Sequence, residues 1–118
     1  MTTPTIPVRT RIPASQALSS AIASVGYGVC LLQMPSSWTD APLTVQGSLD
    51  EADPTSWADL YDHLGNEVVL TVIAGRGLTL PPTMLLGWRW LRLRSGLAAA
   101  PVNQGAERHI TLGIRPLA

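Results

Sequence analysis

Two stretches of this chain alternate with a period of two residues, and that period constrains the fold more than any other feature. In Leu43–Leu49, Leu43, Val45 and Leu49 fall on one side, and Thr44, Gln46 and Ser48 on the other. In Trp88–Arg94, Arg89, Leu91 and Leu93 share one face, while Trp88, Trp90, Arg92 and Arg94 share the opposite one. Such alternation is the mark of a β-strand packed on one face only. Leu91 and Leu93 are natural core residues, which leaves two tryptophans and two arginines on the other side. Either a bulge shifts the register and buries one tryptophan while the arginines stay solvated, or this face is a contact surface, since Trp and Arg are enriched at interface hot spots.

The remainder reads as short strands between turn residues. Residues 16–24 form a modest strand, and Gly28–Met34 is a continuous apolar run ended by Pro35, as in a strand buried on both faces. Ser56–Asp62 follows an acidic loop, His63–Asn66 turns the chain, and Glu67–Ala74 is β-branched and apolar. Leu78–Leu80 and His109–Arg115 complete the set, with one helical turn available at Thr83–Leu86 and a long loop at Ala98–Ala106. About eight strands at this spacing predict an all-β protein, a single antiparallel β-sandwich over 14–118. Residues 1–13 carry Pro4, Pro7 and Pro13 among threonines and predict an extended N-terminal arm. Such an arm is either a frayed terminus or a strap across a neighbouring subunit.

Composition narrows the function. The 118 residues make one domain with room for a sizeable core. The formal charge is zero and every basic residue is arginine, which argues against a nucleic-acid binder with a net basic stripe. Charged residues are 14% of the chain against about 25% in an average soluble domain. With 46% hydrophobic residues, that predicts a surface partly covered by a partner. The single Cys30 excludes an intrachain disulfide, the N-terminal stretch lacks the apolar core of a signal peptide, and no apolar run approaches the roughly 20 residues that cross a bilayer. The expectation is a chain made in a cytoplasm, without a membrane partner.

No catalytic constellation emerges. Asp50, Glu51 and Asp53 crowd one loop but do not match a calcium loop, and they read as a solvated turn. Asp59 and Asp62 fall on opposite faces of one predicted strand, which argues against a shared acid–base site. His63 and His109 have no second ligand at metal spacing, and Cys30 reads as a buried thiol. Gly75-Arg76-Gly77 lacks the rest of a phosphate loop. The expected catalytic, metal and cofactor sets are therefore empty.

Two resemblances add to this reading. Ser48-Leu49-Asp50, then Trp57, then Arg89-Trp90-Leu91-Arg92 are similar to the structural motifs of the galactose-binding-like jelly roll found in discoidin domains and carbohydrate-binding modules. There they set strand ends and core packing, which implies a jelly-roll-like sandwich with Trp57 in its core. A longer stretch, Val29–Pro35 with Trp38, Gln46–Asp50, Leu91–Gly96 and Glu107–Pro116, resembles small tailed-phage virion proteins of the capsid cement, decoration or head-fibre type. That resemblance implies a non-enzymatic virion protein, assembled in a host cytoplasm, that binds the major capsid protein or other virion proteins as a homo-oligomer, a dimer or trimer. Its contacts would come from Ile6, Val8, Arg9, Arg11 and Ile12 of the arm and from Trp88, Trp90, Arg92 and Arg94. The alternative it leaves open is a glycan-binding module of a head fibre or tail, with Trp38 stacking on a sugar and Asp40 or Gln33 hydrogen-bonding it.

Overall fold

The computed structural model describes residues 4–117, which form ten strands and no helix. They are β1 (Ile6–Ile12), β2 (Ile22–Ala23), β3 (Tyr27–Gln33), β4 (Leu43–Ser48), β5 (Ala58–Asp59), β6 (Val69–Leu70), β7 (Gly77–Thr79), β8 (Trp90–Leu97), β9 (Ala100–Pro101) and β10 (Arg108–Pro116). One sheet has the order β1-β10-β3-β7. The other runs β2-β8-β4-β5, with β6 also on β4 and β9 on β8. Every pairing is antiparallel. With β5 and β6 as two halves of one strand, and apart from the two-residue β9 on the end of β8, the sheets contain four strands each, and successive strands cross repeatedly from one to the other. This is the order of a jelly roll.

Alternation explains the packing. Leu43 and Val45 of β4 and Leu91 and Leu93 of β8 point into the sandwich from one sheet. Ile110, Leu112 and Ile114 of β10, with Val29 and Leu32 of β3, point in from the other. Leu43, Ile110 and Leu112 lose all their solvent contact there, each with the transfer gain of about 2 kcal/mol expected for a large aliphatic side chain.

Several expected strands are shorter than their apolar runs. Only Ile22–Ala23 of 16–24 is strand, with an isolated bridge at Leu18 to Arg94. Residues 56–74 contribute just the two halves beside β4. Leu60 and Val68 close the gap with a backbone bond, and residues 61–68 bulge out as a loop. The Asp62 carboxylate ties that loop by accepting from the N–H groups of Leu64 and Asn66. Thr83–Leu86 forms hydrogen-bonded turns instead of a helix, and the predicted 98–106 loop contains β9. Strand β3 is covered on one face only: Leu31 and Gln33 are exposed, and Cys30 is an extra residue where the pairing with β10 slips. Cys30 is half-buried, with its thiol 3.3 Å from the Gly113 carbonyl. Leu49 was expected with Leu43 and Val45 but lies beyond the strand end, 63% exposed.

The arm is the largest correction. Its residues 1–3 lie outside the described residues, but Ile6–Ile12 is β1, paired along its length with β10 from Ile6↔Ile114 to Ile12↔Arg108. Ile12 is fully buried and Thr10 nearly so, while Arg9 and Arg11 alternate outward. The Arg11 carbonyl accepts from the Ser20 N–H and the Arg11 N–H donates to Ser20 Oγ, so Pro7 and Arg9, at the same parity, also turn their backbone groups to the open edge. Pro7 has no N–H there, which blunts the edge against strand addition.

Truncation tests this placement. Removing residues 1–13 takes out a whole edge strand. Loss of Ile12 alone is worth about 2–5 kcal/mol, a large part of a typical total of about 5–15 kcal/mol. The expected result is loss of the cooperative thermal transition in circular dichroism. An unchanged melting curve would contradict the role of β1.

Candidate functional site

The outer face of the β2-β8-β4-β5 sheet carries the side chains singled out by alternation. Register places Trp90 opposite Ser48, Arg92 opposite Gln46 and Arg94 opposite Thr44, all pointing away from the core. Arg94 does not reach solvent. Its side chain is 7% exposed, with Nη1 2.7 Å from Asp59 Oδ1, Nη2 3.3 Å from Glu67 Oε2, and Nε donating to Thr44 Oγ1 at 3.0 Å. Thr44 in turn donates to the Gly96 carbonyl, and Glu67 also accepts from the Ala98 N–H. Asp59 accepts a second bond from Gln46, whose carbonyl oxygen takes the Arg92 Nε–H at 2.6 Å. The Gln46 amide and the Arg94 guanidinium hold the Asp59 carboxyl below the usual carboxylate range. Arg92 is stacked, its guanidinium carbon 4.3 Å from the centre of the Trp57 ring.

A loop covers this face. Trp90 Nε1 donates to the Asp50 carbonyl, and Trp57 lies on Arg92, so residues 50–57 fold across the outside of the sheet. The Asp50 carboxylate ties the loop by accepting from the N–H groups of Ser56 and Thr55, which lower its pKa. Trp57 was expected in the core and is instead a half-buried outer residue. Arg94, like Ile12, is too buried to serve as a contact residue.

Trp88 leaves the predicted face altogether. It precedes β8 and packs on the core cluster, with its indole over Gly47, where a Cβ would come within 2.5 Å of the ring. The glycine at 47 is what admits it. The three residues considered for a sugar are dispersed: Trp38 packs on the core and donates its N–H to the Ala41 carbonyl at 3.0 Å, Gln33 lies on the outer face of β3, and Asp40 lines a shallow recess with Pro42 and Thr71.

A surface not expected from the sequence sits at one end of the sandwich. The turn at Val25-Gly26, the C-terminal Leu117 and the 81–87 segment meet there: Leu117 donates its N–H to the Gly26 carbonyl, and its side chain and the Pro82 carbonyl both approach Gly28. Beside them a cleft of about 610 Å³ is lined by Tyr61, His63, Pro81, Met84 and Trp88. Val25, Tyr61, Met84, Leu86 and Leu117 of these segments are all exposed, and so is Leu64, which follows His63 in the loop that reaches the cleft. Pro81–Gly87 has no regular apolar period, so only its run of apolar residues in a turn segment signals this role in the sequence.

The opposite sheet has a polar outer concavity of about 510 Å³ that includes Arg9, Gln33, Glu107, His109 and Thr111. Glu107 bridges Arg11 at 2.7 Å and His109 at 3.1 Å, and the two neighbours, Arg11 first, lower its pKa. Among the described residues no group of three His, Cys, Asp or Glu side chains is placed to hold a metal ion. The chain matches no family model, no curated protein and no solved structure.

Two measurements check the ion-pair layer. Arg94→Met leaves Asp59 and Glu67 without their cation and is expected to lower stability by roughly 2–3 kcal/mol, read by denaturant unfolding; the carboxylates are partly solvated, which puts the loss at or below the lower end for a buried pair. Asp59 ionises more easily in the folded chain, so its contribution is present above the ordinary carboxylate pKa of about 4 and is lost as pH falls through the lower folded value. Melting temperature should therefore drop on acidification over that window, with a smaller drop in Asp59→Asn.

Proposed function

We propose that this chain is a non-enzymatic virion structural protein of the capsid cement or decoration type, which attaches to a protein shell through the apolar end of its jelly roll. The observation that carries this reading is the cleft lined by Tyr61, Met84 and Trp88, with exposed Val25, Leu64, Leu86 and Leu117 on the segments that adjoin it. Several large apolar side chains grouped on a chain of low charge are the usual sign of a protein-binding surface. The strand order is consistent with it, since jelly rolls serve in viral shells as well as in lectins, although a fold does not by itself set a function.

The mechanism is mass action. A protein that binds only assembled shell stabilises it over separated subunits, by an amount that grows with its concentration over Kd. Tyr61 and Trp88 are the natural anchors, being rigid aromatics at the rim and floor of a concave site. A glycan reading through Trp38 has less support, because the indole N–H is already bonded within the chain and the ring packs on the core.

Co-sedimentation with shells of the major capsid protein from the same genome tests the proposal. Wild type should pellet with the shells, and Leu64→Asp with Leu117→Asp should weaken binding by about tenfold or more, as for central interface contacts. Both positions are exposed, so the variant should keep the wild-type melting temperature. Wild type that stays in the supernatant at saturating shell concentration would sink the reading.

A further inference from the structure

On the outer face of the β2-β8-β4-β5 sheet, Thr44, Gln46, Arg92 and Arg94 are all bonded within the chain. The outer face of the opposite sheet is built differently. Arg9, Thr111 and Gln33 stand opposite one another on β1, β10 and β3, so their side chains form one cross-strand row on that face. Ser36 and Ser37, in the segment after β3, join them around the polar concavity of about 510 Å³. None of these five side chains has a hydrogen-bond or ion-pair partner among the described residues.

The recess holds one free guanidinium. Glu107 is the one acid lining it, and it is taken by Arg11 at 2.7 Å and His109 at 3.1 Å. Arg108 is turned to Gln104 and Thr39. Arg9 alone keeps its planar fork of N–H donors unfilled. At about 4.8 Å per strand, the stems of Arg9 and Gln33 stand roughly 10 Å apart, with Thr111 between them. The volume falls within the roughly 300–1,000 Å³ usual for small-molecule sites.

We infer that this recess binds an acidic saccharide, its carboxylate on the Arg9 guanidinium and its hydroxyls on Thr111, Gln33, Ser36 and Ser37. A guanidinium fork matches a planar carboxylate with two parallel bonds. Hydroxyl and amide side chains both donate and accept, as sugar hydroxyls do. One charge among four neutral polar groups therefore suits a ligand with one anion and several hydroxyls. No tryptophan, tyrosine or leucine lines the recess, so the apolar anchor that a docking protein needs is missing. A nucleic-acid strand carries a charge on every phosphate and needs a row of free cations to meet it. Trp38 and Asp40 take no part; of the three residues considered for a sugar, only Gln33 lines this site. Along the extended chain Thr111 and Leu117 are roughly 20 Å apart, at about 3.3 Å per residue. A domain seated by its apolar end thus leaves the recess open, and the site itself needs no shell.

Titration calorimetry of the purified full chain tests this, with galacturonate, glucuronate and sialate oligosaccharides, each beside its neutral methyl ester. At least one acid form should bind, and its ester roughly tenfold or more weakly, as for a lost charge-assisted bond. Arg9→Gln should weaken the same acid form by a similar factor, and Gln33→Ala by about threefold. Both positions are exposed, so these variants should keep the wild-type melting temperature. Arg76→Gln removes the same charge from a separate recess beside Ile73 and Leu78, and should leave the affinity unchanged. No binding of any acid form at millimolar concentration overturns the inference. So does an ester bound as well as its acid, or a loss in Arg76→Gln equal to that in Arg9→Gln. Shell binding is read in a separate assay through the apolar end, so either proposal can fail alone.

Discussion

Arg94 is the constraint around which the second sheet is organised. A guanidinium that loses its water needs several partners in fixed positions, because a buried charge left unpaired costs several kcal/mol. Three different segments supply them: Thr44 from β4, Asp59 from β5 and Glu67 from the loop before β6. The strand beside β4 is broken in two, and backbone bonds at the break, from Val68 to Leu60 and across Tyr61 and Glu67, bring its second half back to β4. Arg94 bridges the break, holding Asp59 on one side of the 61–68 loop and Glu67 on the other. The loop that carries Tyr61 to the apolar end is thus anchored at its base by one arginine as well as by its own backbone bonds.

A comparable role falls to Gln104 at the other side of the domain. It is almost fully buried, and both ends of its amide are satisfied: the oxygen accepts from the N–H of Thr39 and from Arg108, and the nitrogen donates to the Thr39 carbonyl and Ser95 Oγ. Its backbone also bonds Gln16 and Ser15. One residue, through its amide and its backbone, therefore joins the loops before β4, β2 and β10 to the inner side of β8. Fully satisfied polar groups of this kind restrict a sandwich to one arrangement of its loops.

The architecture was legible where alternation is strict. Leu43, Val45, Leu91 and Leu93 announce both the strands and the side they bury, and the outward register of Trp90, Arg92 and Arg94 follows from the same period. What the outward residues do was not legible, since it depends on partners distant in sequence. Arg94 reads as solvated or as interface until Asp59 and Glu67 are brought beside it by the broken strand. Trp88 shares parity with Trp90, yet the strand starts after it and Gly47 opens a place for it inside. The N-terminal prolines read as an arm because proline disfavours regular structure, but Pro7 sits at an edge where no donor is needed. The apolar end was missed because its residues come from separate turn and loop segments and from the residue after β10, and periodicity has nothing to say about these.

The pairing of β1 with β10 has a consequence for how the domain forms. It joins the first described strand to the last, so the contact that closes one sheet spans nearly the whole chain. Long-range pairing of this kind is reached late, because loop closure opposes it until much of the rest is in place. During synthesis β1 emerges before the other described strands and waits without its partner, while Ile12 and the edge it will cover stay open until Arg108–Pro116 leaves the ribosome. Pro7 and the flanking arginines then guard a strand that must remain unpaired for the longest time. The same residues that blunt the edge of the finished sheet protect the nascent chain from pairing with its neighbours.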